Sequence, residues 1–324
     1  MRRADEYRGV CPRSYITRYW STVIGNDLQT RLESMSTTIK TAITATGERY
    51  YTAETYLLPS DDVEKLRLER QHEMLKDQLG WESIPSDLHL KSGDKILDAG
   101  TGSGTWAIDT AKSLPKGVTL IGIDIEKKLF PTPLPNTRFL VQSSLDLPQE
   151  WTSTFSLAHQ RLMVCAFTEN AWDSNISCFY RCLKPGGVLQ LLEIDVLRVM
   201  SDDLPCPPLT ARWMKALVAL CQSRDIGPHA IVDIPEILKR TGFEDIQFQK
   251  KPLYQKGAAG KEARDASIGS QRALKFPFLK AGGFRIANTA AEFDDFLDKM
   301  EEEWATHEFA WLWLSWTARK PMHQ

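Results

Sequence analysis

The sequence lacks the features of several protein classes. No apolar run approaches the ~18 residues that a membrane-spanning helix needs, and the longest candidate, at 309–316, falls far short. The first ten residues have no apolar core, so we expect no secretory signal and a cytoplasmic location. Charge of one sign is also missing: 40 basic and 42 acidic side chains leave a net charge of -2. This balance argues against a nucleic-acid or anionic-membrane partner.

Cysteine is sparse and poorly placed for metal binding. Six cysteines in 324 residues form no CxxC pair, which is typical of a reduced compartment. Cys178 and Cys182 stand one helical turn apart, but two thiols without further ligands make a poor site. We expect no metal, and we interpret these thiols as buried apolar groups. The 42% hydrophobic and 25% charged fractions are typical of a globular protein.

After Pro85 the chain alternates short apolar strands with helices. Strands are predicted over 95–100, 118–125, 138–143, 155–160, 188–196, 242–249 and 308–320, and helices over 105–114, 171–183 and 209–222. Strands separated by helices of this length imply βαβ units and a parallel sheet. The fold class predicted is therefore α/β.

The remaining segments suggest additions to this sheet. Residues 1–47 are rich in Ser, Thr and Arg without a sustained apolar period, which predicts an N-terminal arm, flexible or lid-forming. Residues 48–324 are expected to form one domain, with cap segments near 56–80, 200–235 and 255–305. No low-complexity linker divides it.

The first cap segment contains a helix with clear boundaries. Ser60 or Asp61 can cap it, with Glu64 as the reciprocal partner of Asp61, and Gly80 should end it. Leu66 is expected to share its apolar face with Met74, Leu75 and Leu79.

The strongest site signal is ILDAGTGSGTW at 96–106. A strand delivers Asp98, and Gly100, Gly102 and Gly104 follow at alternate positions before a helix. Glycine lets the backbone approach a ligand, and the amides at the helix start are donors. The spacing differs from the dinucleotide fingerprint, and an acid before the glycines would repel a pyrophosphate.

A second acid follows at the end of the next strand. Asp124 lies 22 residues after Gly102, a position suited to accepting hydrogen bonds from both ribose hydroxyls. An acidic residue near the glycine loop suits a ligand that carries an ammonium group. S-adenosylmethionine has an adenosine, a sulfonium and an amino acid end, so we predict it as the cofactor.

These motifs resemble a known family. ILDAGTGSG, GIDIE and LKPGG (183–187), in this order, resemble class I S-adenosylmethionine-dependent methyltransferases. YLLPSDDVEKLRLERQH (56–72), TGSGTW and AHQR (158–161) are similar to fungal secondary-metabolism methyltransferases, the LaeA-like proteins among them. The resemblance covers about residues 48–320. It implies a doubly wound, seven-stranded, mostly parallel sheet whose last strand, at 309–316, runs antiparallel between the fifth and sixth strands.

The resemblance also implies how the cofactor is held. The loop binds the methionine end, Asp124 the ribose, Ile125 the adenine face, and Ser144 with the Leu145 amide the adenine edge. Gln160 is expected at the cofactor side of the cavity mouth. Tyr56 and Arg67 are expected to close over the cofactor, with Arg67 pairing its carboxylate. The predicted cofactor-binding residues are Tyr56, Arg67, Asp98, Gly100, Thr101, Gly102, Asp124, Ile125, Ser144, Leu145 and Gln160.

Two positions depart from the family pattern. Many relatives have an aspartate where this chain has Ser144, and the fourth strand often starts Phe-Asp where this chain has Ser156. These departures bear on cofactor affinity and leave the cofactor class unchanged.

Two candidate bases stand at strand ends. His159 and Glu193 are placed at the carboxyl ends of strands four and five, where open α/β sheets bind ligands. Either would accept a proton if the acceptor is a hydroxyl or thiol. The apolar residues Trp213, Met214 and Leu217 of a cap helix suit a hydrophobic small-molecule substrate.

Three functions remain open at this point. The favoured function is methyl transfer to oxygen, nitrogen or sulfur of a small natural product in fungal secondary metabolism. The alternatives are a LaeA-like regulatory protein of the same fold and a cofactor-binding cyclase. The uninterrupted glycine loop favours the first over the second, and the two serine departures keep the third open. The expected partner is a small molecule, without nucleic acid or membrane. Oligomeric state is not visible in the sequence.

Overall fold

The computed structural model describes residues 57–199 and 206–322, and the predicted arm lies outside them. The strands are β1 Lys95–Ala99, β2 Thr119–Asp124, β3 Thr137–Val141, β4 Phe155–Arg161, β5 Leu183–Val199, β6 Glu244–Tyr254 and β7 Ala310–Arg319. They form one sheet in the order β3-β2-β1-β4-β5-β7-β6. The α/β class and the seven-stranded, mostly parallel sheet are thus confirmed.

The strand sequences explain their positions in the sheet. β1 and β4 are buried along nearly their whole length, as expected of central parallel strands covered on both faces. β7 runs antiparallel to both β5 and β6, with Leu314 opposite Glu193 and Lys250. The alternation of Trp311 and Trp313 therefore belongs to a buried strand, as the family resemblance implies.

Helices cover both faces of the sheet. They are α1 Asp62–Leu79, α2 Thr105–Ala111, α3 Ala171–Cys182, α4 Pro208–Gln222, α5 Ile234–Thr241, α6 Lys261–Arg272, α7 Lys275–Lys280 and α8 Ala290–Thr306. No helix among the described residues has the length and apolar character to cross a membrane.

Helix α1 has the predicted boundaries but differs from the prediction in one side chain of its apolar face. Asp61 caps it by accepting a 2.9 Å hydrogen bond from the Glu64 amide, and Gly80 ends it at φ +57°. The Glu64 carboxylate binds Arg67. Leu66, expected on the buried face, is 55% exposed. The buried face is formed by Met74, Leu75 and Leu79.

Helix α3 passes directly into β5. The helix predicted over 171–183 ends at Cys182, within one residue of its expected end. The strand begins at once, because Leu183 pairs with Phe155 before an irregular register leads to the Val188–Leu157 pair. Proline and glycines therefore lie within the irregular start of β5.

The cap helices share one core with the sheet. Trp213 of α4 stacks on Phe278 of α7 with ring centroids 5.1 Å apart, and it meets Phe293 of α8 edge-on at 5.8 Å. These rings belong to the same buried cluster as Leu97 and Ala158 of the central strands. Cap and sheet are thus joined by continuous apolar packing.

The amino edge of the sheet holds a buried charge cluster. Asp94 accepts hydrogen bonds from Lys184 (2.8 Å), the Ser156 hydroxyl (2.6 Å) and the Lys91 amide (2.8 Å). Burial alone raises the pKa of Asp94, but these donors outweigh it and lower the pKa to about 2. Ser156 thus serves this cluster. Ser156 lies five positions before Arg161, the last residue of β4. The departure from the family pattern at Ser156 is therefore far from the glycine loop.

Replacing Asp94 should change the acid stability of the fold. The depressed pKa means that Asp94 stabilises the protein above about pH 4, and that this contribution is lost as pH falls toward 2. In Asp94→Asn, the free energy of unfolding should fall by about 2 kcal/mol at pH 6 and by about half as much at pH 3. Urea unfolding of both proteins at these two pH values measures this. An equal loss at both values would contradict the assignment.

Candidate active site

A cavity opens where the parallel strands end. It measures about 400 Å³ and lies between the loops after β1, β2, β3 and β4, helices α1, α4 and α6, and strand β7. Open α/β sheets bind ligands at this edge, and the volume is in the range of small-molecule sites.

The glycine loop is held by a buried carboxylate. Asp98 Oδ2 accepts a 2.5 Å hydrogen bond from the Thr101 hydroxyl, and Oδ1 lies 2.8 Å from His159 Nδ1. Gly100, Thr101 and Gly102 line the cavity, whereas Asp98 does not. The position of Asp98 therefore favours an anchoring role for the loop over direct contact with the cofactor.

Glycine is needed at the end of this loop. Gly104 has φ +69°, and a Cβ there would lie 2.5 Å from Pro131 and 2.9 Å from Phe139. Both neighbours are packed rings, so a side chain at this position would displace the loop.

Asp124 lies beside the loop, as predicted. Its Oδ2 accepts a 2.8 Å hydrogen bond from the Gly102 amide, and Oδ1 accepts one of 3.1 Å from the Glu126 amide. Each carboxylate oxygen keeps a second lone pair. Burial raises the pKa of Asp124, with the backbone donors opposing the shift. The carboxylate lines the cavity and can accept hydrogen bonds from a diol.

Two exposed apolar side chains flank the same part of the cavity. Ile125 is 59% exposed and Leu145 is 38% exposed, and both line the cavity next to the buried Ser144. Exposed apolar side chains on either side of a polar one form a place for a flat, heteroatom-bearing ring. The residues present fit the adenosine of S-adenosylmethionine.

Gln160 supports this region from below. Its Nε2 donates to Asn175 Oδ1 at 2.9 Å, and the Asn175 amide in turn donates to the Ser144 carbonyl at 3.3 Å. Gln160 is fully buried and does not line the cavity, contrary to the expectation that it stands near the cofactor. It reaches the site through the backbone of Ser144.

Two arginines line the cavity with different partners. Arg67 donates to the Glu64 carboxylate, with a shortest distance of 2.6 Å, and to the Ser270 hydroxyl at 2.8 Å. Arg161 Nη1 lies 3.2 Å from His72 Nδ1 and makes no carboxylate ion pair within the described part of the chain. Burial lowers the pKa of Arg161 to about 10, which leaves it charged at neutral pH. The sequence predicts Arg67 as the partner of the cofactor carboxylate, whereas in the structure Arg67 is already paired with Glu64.

His72 keeps Arg161 in place without adding charge. An arginine can only donate, so His72 Nδ1 must accept, and the ring proton lies on Nε2, 3.2 Å from Asp109 Oδ2. Burial and the Arg161 charge lower the pKa of His72 to about 4, although Asp109 opposes this. The imidazole is therefore neutral at pH 7 and orients the guanidinium.

His159 does not face the cavity. It is fully buried, its ring stacks on Trp106 with centroids 3.7 Å apart and 4° between planes, and Nδ1 binds Asp98. Burial lowers its pKa. The side chain points from β4 toward β1 beneath the loop, so this geometry gives it no path to an acceptor. We correct its expected role from proton acceptor to loop support.

Glu193 has a similar structural position. It is fully buried, and its two oxygens accept hydrogen bonds from the Met163 amide at 2.9 Å and the Val164 amide at 3.0 Å. Burial raises its pKa to about 8 despite these donors. Glu193 does not line the cavity. It fixes the loop after β4, and we correct its expected catalytic role accordingly.

One predicted site residue is not described by the structure, and several cavity residues were not predicted from the sequence. Tyr56 lies outside the described residues. Helix α6 contributes Ser267 and Gln271 to the wall, and β7 contributes Trp311 and Trp313. The sequence predicted a cap segment near 255–305 but gave no signal that Ser267 and Gln271 line the cavity, because the composition of α6 resembles an ordinary surface helix. No group of His, Cys, Asp or Glu suited to a metal occurs within 57–199 and 206–322.

Variants of His159 distinguish a structural role beneath the glycine loop from a catalytic role. His159→Leu leaves Asp98 with one donor fewer and should lower the free energy of unfolding by about 1–3 kcal/mol. His159→Asn keeps a donor near the Nδ1 position and should lose less. Chemical denaturation measures both. A stable His159→Asn enzyme whose turnover drops ~10²-fold or more, at saturating cofactor, would instead restore the catalytic assignment.

Comparisons with known proteins agree with this geometry. A family described as a methyltransferase domain matches residues 96–187, from β1 into β5. The N-methyltransferase sirN of Leptosphaeria maculans is 42% identical over 141 residues, covering 43% of this chain and 49% of that protein. The N-methyltransferase gliN of Aspergillus fumigatus is 28% identical over 269 residues, covering 78% and 91%. The secondary metabolism regulator LAE1 of Cochliobolus heterostrophus is 34% identical over 207 residues, covering 59% and 63%.

These matches differ in extent. The chain spans about half the length of sirN and nearly all of gliN. The residues matched by the domain family include the glycine loop, Asp124 and the loop after β3. The same residues form one side of the cavity at the carboxyl edge of the sheet, so the sequence match and the geometry agree on a methyltransferase domain over residues 96–187.

Proposed function

We propose that the protein transfers a methyl group from S-adenosylmethionine to a nitrogen atom of a small, largely apolar natural product. The observation that carries this proposal is the division of one cavity into two unlike halves. One half is formed by the glycine loop, Asp124 and the loop after β3, and the other by apolar side chains of the cap and β7.

The polar half fits the cofactor. Asp124 offers lone pairs to the ribose, and Ile125 and Leu145 offer apolar contact to the adenine. Arg161 is the cation suited to the carboxylate, because the charge of Arg67 is already balanced by Glu64. When bound, S-adenosylmethionine supplies a methyl group on a sulfonium, already activated for displacement.

The apolar half of the cavity is suited to bind an acceptor molecule and to exclude water from it. Its wall includes Phe167, Val196, Leu217, Leu274, Trp311 and Trp313. These side chains exclude water and align the nucleophile, which are the main requirements for displacement at an activated methyl group.

The lining favours an acceptor that needs no protein base. Of the described residues along the apolar half, none is a histidine, and the nearby carboxylate of Glu64 is bound to Arg67. An uncharged nitrogen with an available lone pair reacts without prior deprotonation, whereas a phenol is helped by a base. The similarity to proteins named N-methyltransferases supports the same choice.

The similarity to LAE1 leaves a regulatory function as the alternative. The apolar walls favour a small molecule over a protein side chain, because they bury an apolar ligand on several sides. A cyclase would need the same cofactor half. It would differ in forming no S-adenosylhomocysteine.

Asp124 provides the test of the proposed function. Purified protein is incubated with methyl-labelled S-adenosylmethionine and a small-molecule extract of its source organism. We expect S-adenosylhomocysteine and a product labelled on nitrogen. Asp124→Ala should weaken cofactor binding tenfold or more in calorimetry, because the ribose loses its acceptors. Glu150→Ala, exposed on the turn before β4, is the matched control. Unchanged affinity in Asp124→Ala would refute the cofactor site.

The two arginines are distinguished by ligand pairs. Arg161→Met should weaken S-adenosylmethionine binding by about tenfold, the value of a charge-assisted hydrogen bond, and Arg67→Met should do so less. Methylthioadenosine lacks the amino acid end, so its affinity should be unchanged in Arg161→Met. Calorimetry with both ligands measures this. An equal loss for both ligands would show that Arg161 does not bind the carboxylate.

A further inference from the structure

We propose that Ser267 and Gln271 form a pair of hydrogen-bond donors that recognises a carbonyl oxygen of the acceptor molecule. Both residues belong to α6, one turn apart, and both line the cavity. This inference rests on the proposed function, since it names the chemistry of the acceptor in the same cavity.

The orientation of the Gln271 amide follows from its partner. Trp213 Nε1 lies 2.8 Å from Gln271 Oε1, and Trp213 is fully buried. An indole nitrogen only donates, so the amide oxygen must face it. The amide NH₂ then points away from Trp213 and has no hydrogen-bond partner among the residues the structure describes.

Trp213 is itself held by packing. Phe278 stacks on it at 12° between planes, and Phe293 meets it at 71°. A ring fixed on two sides cannot turn its N–H elsewhere, so the Gln271 amide is set before a ligand binds. A donor fixed in advance loses little conformational entropy on binding.

Ser267 adds a second donor. Ser267 lines the cavity and is only 9% exposed. Its hydroxyl has no hydrogen-bond partner within the described part of the chain. Ser270 differs, although it lines the same cavity. Its hydroxyl accepts from Arg67 at 2.8 Å and donates to the Ala266 carbonyl at 3.1 Å. Ser267 is thus the serine of α6 that is available to a ligand.

The surroundings select the kind of group these donors bind. The wall beside them is apolar and includes Leu217, Leu274 and Trp311, so a charged group would lose hydration without gaining a counter-ion. A carbonyl oxygen is uncharged and has two lone pairs, which matches two donors. The acceptor class is therefore an uncharged apolar molecule that carries an amide, lactam or ketone.

A pair of probes tests this without knowledge of the natural acceptor. α-Tetralone and tetralin have the same fused ring system and differ by the carbonyl oxygen. Their dissociation constants are measured by ligand-observed NMR on the protein with S-adenosylhomocysteine added. The quantity of interest is the ratio of the two constants, because comparing it between variants cancels the intrinsic difference in hydrophobicity.

Ser267→Ala and Gln271→Met should each shift this ratio against α-tetralone by about threefold to tenfold, the range for one hydrogen bond. Ser270→Ala is the matched control, since its hydroxyl is already engaged, and should leave the ratio unchanged. Thermal unfolding verifies that each variant is folded, and Ser267→Ala carries the test if Gln271→Met is not.

Each outcome decides the proposal. A ratio unchanged in Ser267→Ala, an equal shift in Ser270→Ala, or no α-tetralone binding in the low millimolar range overturns it. Failure of the proposed function would be recognised by a different result: the unaltered protein would not bind S-adenosylhomocysteine. In that case the ratio of the two dissociation constants is measured without S-adenosylhomocysteine, and a shift of this ratio in Ser267→Ala still supports the donor pair.

Discussion

One buried carboxylate organises the cofactor side of this protein. Asp98 joins the Thr101 hydroxyl to the ring of His159, and the Thr101 amide in turn donates to the Ile123 carbonyl at 2.9 Å. Through these bonds β1, β2 and β4 are tied together at the point where the glycine loop leaves the sheet. The stacking of His159 on Trp106 extends the connection to α2. The loop can then present its backbone to a ligand because Asp98 and Thr101, which hold it from beneath, are bonded to each other and to neighbouring strands.

The same principle governs the opposite wall. Glu193 fixes the amides of Met163 and Val164, and neutral His72 orients Arg161. In each case a buried polar group does not face the ligand itself. Glu193 positions a backbone segment that lines the cavity, and His72 positions the Arg161 side chain. Buried polar groups that are fully bonded make a site rigid, since every alternative arrangement leaves one of them unsatisfied.

The sequence predicted the fold well because its signals are local. Apolar strands, glycine turns and the Asp61 cap each depend on neighbouring residues, and all appear as expected within a few residues. Asp124 and Ile125 line the cavity, since their place is set by the strand that delivers them, and their roles toward the cofactor stay predictions. His159 and Gln160 were misplaced because the side toward which a buried strand end points depends on packing across the sheet. The orientation of the Gln271 amide depends on Trp213 of α4, a tertiary contact that has no signature in residue spacing.

The order of the strands has a consequence for how the protein is made. β6 pairs with β7 alone, and β7 also provides the only partner of β5 on its outer side within the described sheet. On the ribosome, residues 310–319 follow every other strand, so the outer edge of β5 waits unpaired while the preceding helices emerge. The half of the sheet that carries the cofactor loop has its full set of strands much earlier. A nascent chain would therefore complete the polar half of the cavity before the tryptophans of β7 complete the apolar half. Until β7 is made, the outer edge of β5 is unpaired and is a surface for chaperones to protect.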